Sequence, residues 1–478
     1  MERHAGAVLL RKPDVTLPHR LARSALAVTG GVTSDADVHR WLDERNTAQR
    51  HDVWRIPFQE MSSWAFDPTT GNLGHQSGRF FTVEGLQVDT DYGPIPHWSQ
   101  PIVNQPEIGI LGIVVREIDG VLHCLMQAKS EPGNVNGVQI SPTVQATKSN
   151  YTRVHQGKPV RYLELFRNAP RELMLADVLQ SEQGSWFYRK RNRNMIVEIS
   201  EDIELIDDFR WLTIGQLHEL LKVDNLVNMD ARTVLSCMPV GLAGTIEDAE
   251  SELAATVALS SDYASGSLHV PVEVMSWITD RQARHIVDTS LIPLDRVRHW
   301  HRTEDEIAHE LGVFFSIIAV EISTNSREVP SWTQPLVKPH GDGLVALLVK
   351  RVDGVLHALV NARIEPGYLD VVELAPTVQC TPRTYALLPP EARPPFLDLV
   401  LGRRPEQVLF STELSEEGGR FHHARSRYEI VEVDPDYPDA DLSDFRWLTL
   451  HQLGELLKHS HYVNVQARSL IACLRGLR

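Results

Sequence analysis

Residues 100–151 read QPIVNQPEIGILGIVVREIDGVLHCLMQAKSEPGNVNGVQISPTVQATKSNY, and residues 334–385 read QPLVKPHGDGLVALLVKRVDGVLHALVNARIEPGYLDVVELAPTVQCTPRTY. The two stretches align without a gap, and roughly 22 of 52 positions are identical. A duplication of this kind fixes the domain plan before any motif is considered, and lets each copy be read against the other. The repeat extends outward on both sides. Trp41-Leu42-Asp43 matches Trp277-Ile278-Thr279, Ile56-Pro57 matches Ile292-Pro293, Trp64 matches Trp300, and Phe80-Phe81 matches Phe314-Phe315. Downstream, the string DFRWLT at 208–213 recurs at 444–449, and Val227-Asn228 and Cys237 recur as Val463-Asn464 and Cys473. Each copy is therefore about 200 residues long, an ordinary size for a domain with its own core. The expected division is an N-terminal arm at 1–34 without a counterpart, a first repeat at 35–240, a linker at 241–270 and a second repeat at 271–478. The linker is expected from its Ala, Ser, Glu and Asp content and its lack of apolar periodicity.

Composition narrows the class. The chain is 42% hydrophobic and 23% charged, the balance of a soluble globular protein. No apolar run has the length needed to cross a bilayer, and the N-terminus lacks a signal-peptide core and cleavage site. A formal net charge of -16 argues against nucleic-acid binding, which needs a basic face. The four cysteines have no metal-type spacing and read as reduced, buried thiols of a cytoplasmic protein.

Within each repeat, two apolar-rich runs (110–117 and 121–129 in the first) flank Asp119-Gly120, repeated as Asp353-Gly354. Asp-Gly between such runs predicts a β-hairpin, because the tight turn needs positive φ. On the second strand Leu122, Cys124, Met126 and Ala128 alternate with His123, Gln127 and Lys129, an apolar face against a polar one. Thr213-Ile214-Gly215-Gln216 and Thr449-Leu450-His451-Gln452 fit the Thr-x-x-Gln capping box, followed by leucines at helical spacing. The pattern predicts an α+β fold, each repeat a mixed β-sheet with packed helices.

Three constellations carry candidate chemistry. The first is Glu131-Pro132-Gly133 with Thr143 and Gln145, matched by Glu365-Pro366-Gly367 with Thr377 and Gln379. A buried glutamate beside amides suits a general base or a sugar-hydroxyl ligand; the competing reading is a turn acid next to a strand whose threonine hydroxyl satisfies a neighbour. Gln139 of the first copy is Glu373 in the second. Only a carboxylate can take a proton at neutral pH, and this leans catalysis towards the second repeat. The second is the string YRKRNRN at 188–194. Arg189, Arg191 and Arg193 share one strand face with Lys190 and Asn192 opposite, and Arg425 and Arg427 keep two of the three arginines. Paired guanidinium groups suit a diphosphate; the alternative is a solvated edge strand. The third is Arg79 and its aromatic neighbours, with Trp64 or Trp300 as a stacking surface for a nucleobase or as core. The histidine pairs lack the spacing of a metal site. There is neither a Walker loop nor a GxGxxG, so no cofactor is expected.

The strings WRIPFQEMSSWAFDPTTGNLGHQSGRFF, EPGNVNGVQISPTVQATKSNY and QGSWFYRKRNRNMIVE, with ELAPTVQCTP in the second copy, resemble the NDP-hexose 2,3-dehydratases over the chain from about Trp41 onward. The resemblance implies two tandem Nudix-like modules, a homodimer and a role in deoxysugar biosynthesis for natural products such as antibiotics. Neither repeat holds the acidic Nudix box; Arg171-Glu172-Leu173 has no following Glu-Glu pair, so metal-dependent pyrophosphate hydrolysis is not expected. The implied substrate is a dTDP-4-keto-6-deoxyhexose, and the product passes to an NADPH-dependent 3-ketoreductase. Its C-4 ketone acidifies the C-3 hydrogen, a base removes that proton, the C-2 hydroxyl leaves as water, and the enol becomes a 3,4-diketo-2,6-dideoxy sugar. On this reading the base is Glu365, Glu373 or Glu131. Lys129 or Arg363, and Tyr151 or Tyr385, are candidate donors to the enolate or leaving group. Arg191 and Arg193, or Arg425 and Arg427, grip the diphosphate. The copies differ at Arg79/Val313, Asn134/Tyr368 and Lys148/Pro382 as well as at Gln139/Glu373, so two pockets need not mean two active sites. The alternatives are a non-catalytic nucleotide-sugar-binding protein and a Nudix-type hydrolase.

Overall fold

The computed structural model describes residues 14–148, 159–239, 251–326, 329–385, 387–434, 437 and 443–478. Tyr151 lies outside the described residues. Asp119 and Gly120 have φ of 50° and 77°, and Asp353 and Gly354 have 49° and 80°. Two successive positive φ angles make the tight turn whose twist matches the flanking strands. In the first copy this turn joins Gly109–Ile118 to Val121–Ser130.

A seven-stranded sheet grows around that hairpin. Arg191–Glu198 runs parallel to Gly109–Ile118, and Met174–Ser181 pairs antiparallel outside it. Phe209–Thr213 and the short Val138–Ser141 pair with Val121–Ser130, while Val144–Ala146 pairs with Gly109–Ile118. The second copy repeats every one of these pairings. The capping boxes form at Thr213 and Thr449, each starting a helix as the Thr-x-x-Gln pattern requires. The α+β architecture of two repeated modules is thus the one read from the sequence.

The modules are less separate than the sequence implies. Leu122, Cys124, Met126 and Ala128 belong to an apolar cluster that continues into Val345, Leu347, Ala358 and Val360 of the other copy. Helices Met229–Ser236 and Val465–Leu474 pack against each other at the junction. Each sends a fully buried arginine across it. Arg232 donates to Val227 O and Ser415 O (both 2.6 Å) and to Ser469 Oγ, and Arg468 donates to Val463 O, Ser181 O and Thr233 Oγ1. A buried guanidinium is tolerable only when its donors are met in this way.

Two further features depart from the expected division. Strand His51–Ile56 of the first repeat pairs with Phe315–Thr324 of the second, and Val287–Ile292 of the second pairs with Thr82–Thr90 of the first. Each repeat therefore completes the other's smaller sheet. The arm and the linker are also equivalent elements. Ser24 of helix Leu17–Leu26 donates to Leu122 O and accepts from the Ile214 N–H; Ser260 of helix Glu252–Ser261 donates to Leu356 O and accepts from the Leu450 N–H. The residues assigned to an arm without a counterpart thus have one, inside the segment assigned to a linker. Helix Glu252–Ser261 buries mainly small Thr, Ala and Ser side chains with one valine, which leaves little periodic signal to read in the linker.

Candidate active site

The two Glu-Pro-Gly turns are built by contact between repeats. The Gly133 N–H donates to Gly418 O at 2.7 Å, and Gly133 O accepts from the His423 N–H at 2.9 Å. In the other copy the Gly367 N–H donates to Gly184 O and Gly367 O accepts from the Arg189 N–H, both at 2.7 Å. A Cβ on Gly133 would lie 1.6 Å from Phe421 O, and one on Gly367 would lie 1.8 Å from Phe187 O. Glycine is needed here because another backbone arrives, not only because the chain turns. Each turn's glutamate is consequently faced by a loop of the opposite repeat.

At the first of these junctions lies a cavity of about 250 Å³. The strand after the Asp-Gly turn contributes Lys129, whose Nζ lies 2.9 Å from Glu131 Oε1 with both side chains buried. Alternation along the strand beginning at Arg191 brings Lys190 and Asn192 to the cavity. Glu182 follows Met174–Ser181, and Asp230 comes from the first turn of helix Met229–Ser236. The second repeat supplies Glu417, Gly419 and Arg420 and the stretch Trp332-Thr333-Gln334, and an aromatic wall is formed by Trp64, His75, Phe80, Phe81 and Phe187. Arg420 lies over the Phe81 ring at 4.4 Å and donates to Gln105 Oε1.

Crowding four carboxyl groups into a desolvated site disfavours charge on them. Burial, then the nearby Glu182, Glu417 and Glu131, holds the Asp230 carboxyl well above the usual carboxylate range. Burial, then Glu131, pushes Glu417 up to about 7, although Arg420 and the Gly419 N–H act the other way. Glu182 is raised by burial, and Asn192 donates to it at 2.6 Å. Burial lowers Lys190 to about 8 against the pull of Glu182 and Glu107. Asp230 Oδ1, Glu182 Oε2 and Glu417 Oε2 are buried with no hydrogen-bond partner among the described residues. Displaced proton affinities and unmet acceptors in one cleft are the marks of a site that handles protons.

The equivalent second junction is arranged differently. Glu365 accepts from Arg363 Nε (2.9 Å), Gln379 Nε2 (2.9 Å) and the Ser185 N–H (3.0 Å), so both its oxygens are engaged. Tyr368, standing where the first copy has Asn134, is buried here and accepts from Asn464 Nδ2 at 3.2 Å. Lys190, Asp230 and Glu417 are replaced by Ala424, Gln466 and Gln183. The second site thus lacks three of the titrating groups of the first.

Of the residues expected from sequence, Lys129, Glu131, Gln145 and Trp64 line the cavity. Thr143 and Thr377 follow the structural reading: each hydroxyl donates to a carbonyl (Leu125 or Leu359) and accepts an N–H (Val114 or Leu348, 2.9 Å), tying neighbouring strands. Asn134 donates to Gly137 O, and Trp300 packs against Phe315. Arg79 is exposed. Tyr385 sits half-buried in the field of Arg363 and Glu365. The arginine grip does not form at the cavity. Arg193 makes a bidentate ion pair with Asp177, Arg425 pairs with Asp342 and Glu413, Arg189 lies over Tyr188, Arg427 is exposed, and none of these or Arg191 lines it. The opposite face of that strand, carrying Lys190 and Asn192, is the one that does. Glu373 is also elsewhere: fully buried between repeats, it accepts from Ser181 Oγ, as Gln139 accepts from Ser415 Oγ, and burial raises it to about 8. Glu182, Asp230 and Glu417 stand in no sequence motif, and Lys190 and Asn192 enter the sequence reading only as the face opposite the arginines. Three of them were marked by a difference between copies rather than by a shared residue.

The sequence profile of the NDP-hexose 2,3-dehydratases matches residues 35–238 and again 271–474. The chain belongs to this family. It is 52% identical over 96% of its length to a Saccharopolyspora spinosa dTDP-4-dehydro-6-deoxy-alpha-D-glucopyranose 2,3-dehydratase, covering 95% of that protein. Proteins of the same description from Amycolatopsis orientalis (48%, covering 96% of this chain and 93% of the relative) and Streptomyces violaceoruber (46%, 93% and 98%) are also similar. Among the described residues no helix is long and apolar enough to cross a membrane.

Proposed function

We propose that the chain is a dTDP-4-keto-6-deoxyglucose 2,3-dehydratase, a carbon–oxygen lyase, and that its chemistry takes place in the first cavity. The observation that carries the site is the set Lys190, Asp230 and Glu417, present there and replaced by non-titrating residues at the second junction. Elimination needs a base at C-3 and an acid at the C-2 hydroxyl, both working near neutral pH. Glu417, raised to about 7, is ionised in part at neutral pH and more basic than an ordinary carboxylate; it is assigned the C-3 proton. Asp230, whose burial among carboxyl groups favours its protonated form, is assigned to the departing hydroxyl. The ketone takes the electron pair as C-3 loses its proton; C-2–O cleavage then leaves a 2,3-enol that ketonises to the 3,4-diketo sugar. The aromatic wall suits the thymine base. Glu131 is paired with Lys129 and is not assigned the role of base.

The test is an incubation with EDTA and dTDP-4-keto-6-deoxyglucose, with products separated and weighed. The diketo sugar is unstable, so free dTDP and a sugar-derived pyranone are expected. An added NADPH-dependent 3-ketoreductase, the class of enzyme that consumes this product, should instead trap a dTDP-2,6-dideoxy-4-ketohexose. Unchanged substrate with dTDP still bound would favour a nucleotide-sugar-binding protein. The homodimer that the resemblance implies is checked by sedimentation.

A further inference from the structure

The elimination leaves one task unassigned: something must meet the negative charge that develops on O-4. The cavity offers three cations. Lys129 is committed to Glu131, and its counterpart Arg363 keeps a cation at the second junction as well. Arg420 donates to Gln105 Oε1 and Gly419 O and lies over the Phe81 ring at 4.4 Å, part of the wall. Lys190 differs from both. It is 5% exposed, its Nζ donates to the Glu107 carbonyl, and further N–H donors remain on the ammonium. The charged groups around it are Glu182, Glu107, Glu417 and Arg420. The second copy has Ala424 at its position.

We propose that Lys190 is the electrophile at C-4, donating a hydrogen bond to the carbonyl oxygen and passing its proton there as the enolate forms. The proposal rests on the dehydratase reading of the cavity. As Glu417 takes the C-3 hydrogen, the C–H pair becomes the C-3–C-4 double bond and the carbonyl pair moves to O-4, which accepts a Lys190 proton. The O-4 proton then returns to Lys190 as the carbonyl re-forms, the C-2–O bond breaks, and the hydroxyl leaves as water with the Asp230 proton. No oxidant or co-reactant is required. The lowered proton affinity of Lys190 suits it to this transfer, since it is acidic enough to give up a proton to an enolate.

The experiment follows two signals in one tube: elimination, and exchange of the C-3 hydrogen with deuterated solvent. Wild type should do both. Lys190→Met should slow both by about 10²–10³-fold, with dTDP affinity unchanged within about threefold. Exchange at the wild-type rate in a folded Lys190→Met variant would overturn the proposal, because enolate formation would not need the lysine. Should that variant fail to fold, Lys190→Arg keeps the charge; the alkaline limb of its kcat/KM profile should move upward, and a limb left in place counts against the role. A borohydride-stable mass adduct between Lys190 and the sugar would replace the hydrogen bond by covalent catalysis and so also overturn it. If wild type neither exchanges nor eliminates, it is the dehydratase reading that fails.

Discussion

The two inter-repeat junctions share a backbone arrangement and differ in the titrating side chains they hold. Both present a Glu-Pro-Gly turn whose glycine hydrogen-bonds a loop of the opposite repeat. At one, four carboxyl groups and two lysines meet around a cavity. At the other, Glu365 is fully engaged by Arg363, Gln379 and a backbone N–H, and Tyr368 is packed beside it. Duplication preserved the frame, which depends on backbone contact, while three titrating side chains of one junction are absent from the other.

The comparison can be broken most directly at those three positions. Asp230→Asn and Glu417→Gln are each expected to lower kcat by about 10²–10⁴-fold, the range for a lost acid or base, whereas Gln466→Asn and Gln183→Asn at the second junction should leave it within about threefold; a rate assay of the four variants decides. The next largest effect is on the shared frame. Gly133→Ala and Gly367→Ala each set a Cβ against a carbonyl of the other repeat, and each should cost on the order of 4 kcal/mol, read as a loss in melting temperature.

A pH profile sharpens the assignment further. Glu417 must be ionised to act as base and Lys190 protonated to act as donor. kcat/KM should therefore rise as pH increases through about 7 and fall through about 8, and Asp230, which must be protonated to act as the acid, adds only to the fall with rising pH. A profile flat from pH 6 to 9 would remove both groups. The smallest effects are expected where the sequence pointed and the cavity does not. Arg193→Ala and Arg425→Ala remove exposed ion pairs worth under about 1 kcal/mol, so dTDP affinity by calorimetry should change less than about fivefold. Glu373→Gln substitutes the residue that the first copy already carries as Gln139, and turnover should stay within about threefold.

Much of the fold was legible because its signals are local. The Asp-Gly turns and the Thr-x-x-Gln caps each involve a few neighbouring residues, and each forms as read. Alternation on Val121–Ser130 does put Leu122, Cys124, Met126 and Ala128 into one core, but the opposite face is buried as well, with Leu125 in a second apolar cluster. The arginine face of YRKRNRN illustrates the limit. Alternation correctly separated Arg191 and Arg193 from Lys190 and Asn192, but it carries no information on which side the other elements pack. Asp177 took Arg193, and the loop from Glu417 to Arg420 arrived on the other face. Glu373 misled for a related reason: a carboxylate among amides has the same sequence signature whether it borders a cavity or fills an interface, where burial keeps it protonated.

The sequence by itself determined the duplication, the hairpin-centred α+β module and the family, because these rest on short-range pattern or on residues kept in both copies. Only the tertiary structure decided that the repeats exchange their opening strands, that the arm and linker are one kind of element, and that the cavity takes side chains from both halves. The pairing edges and core faces of two similar copies are alike, so nothing local says which copy a strand or loop will meet. That choice is made by the packing of the whole chain, and it is also what brings Glu417 of the second repeat to Glu131 and Asp230 of the first.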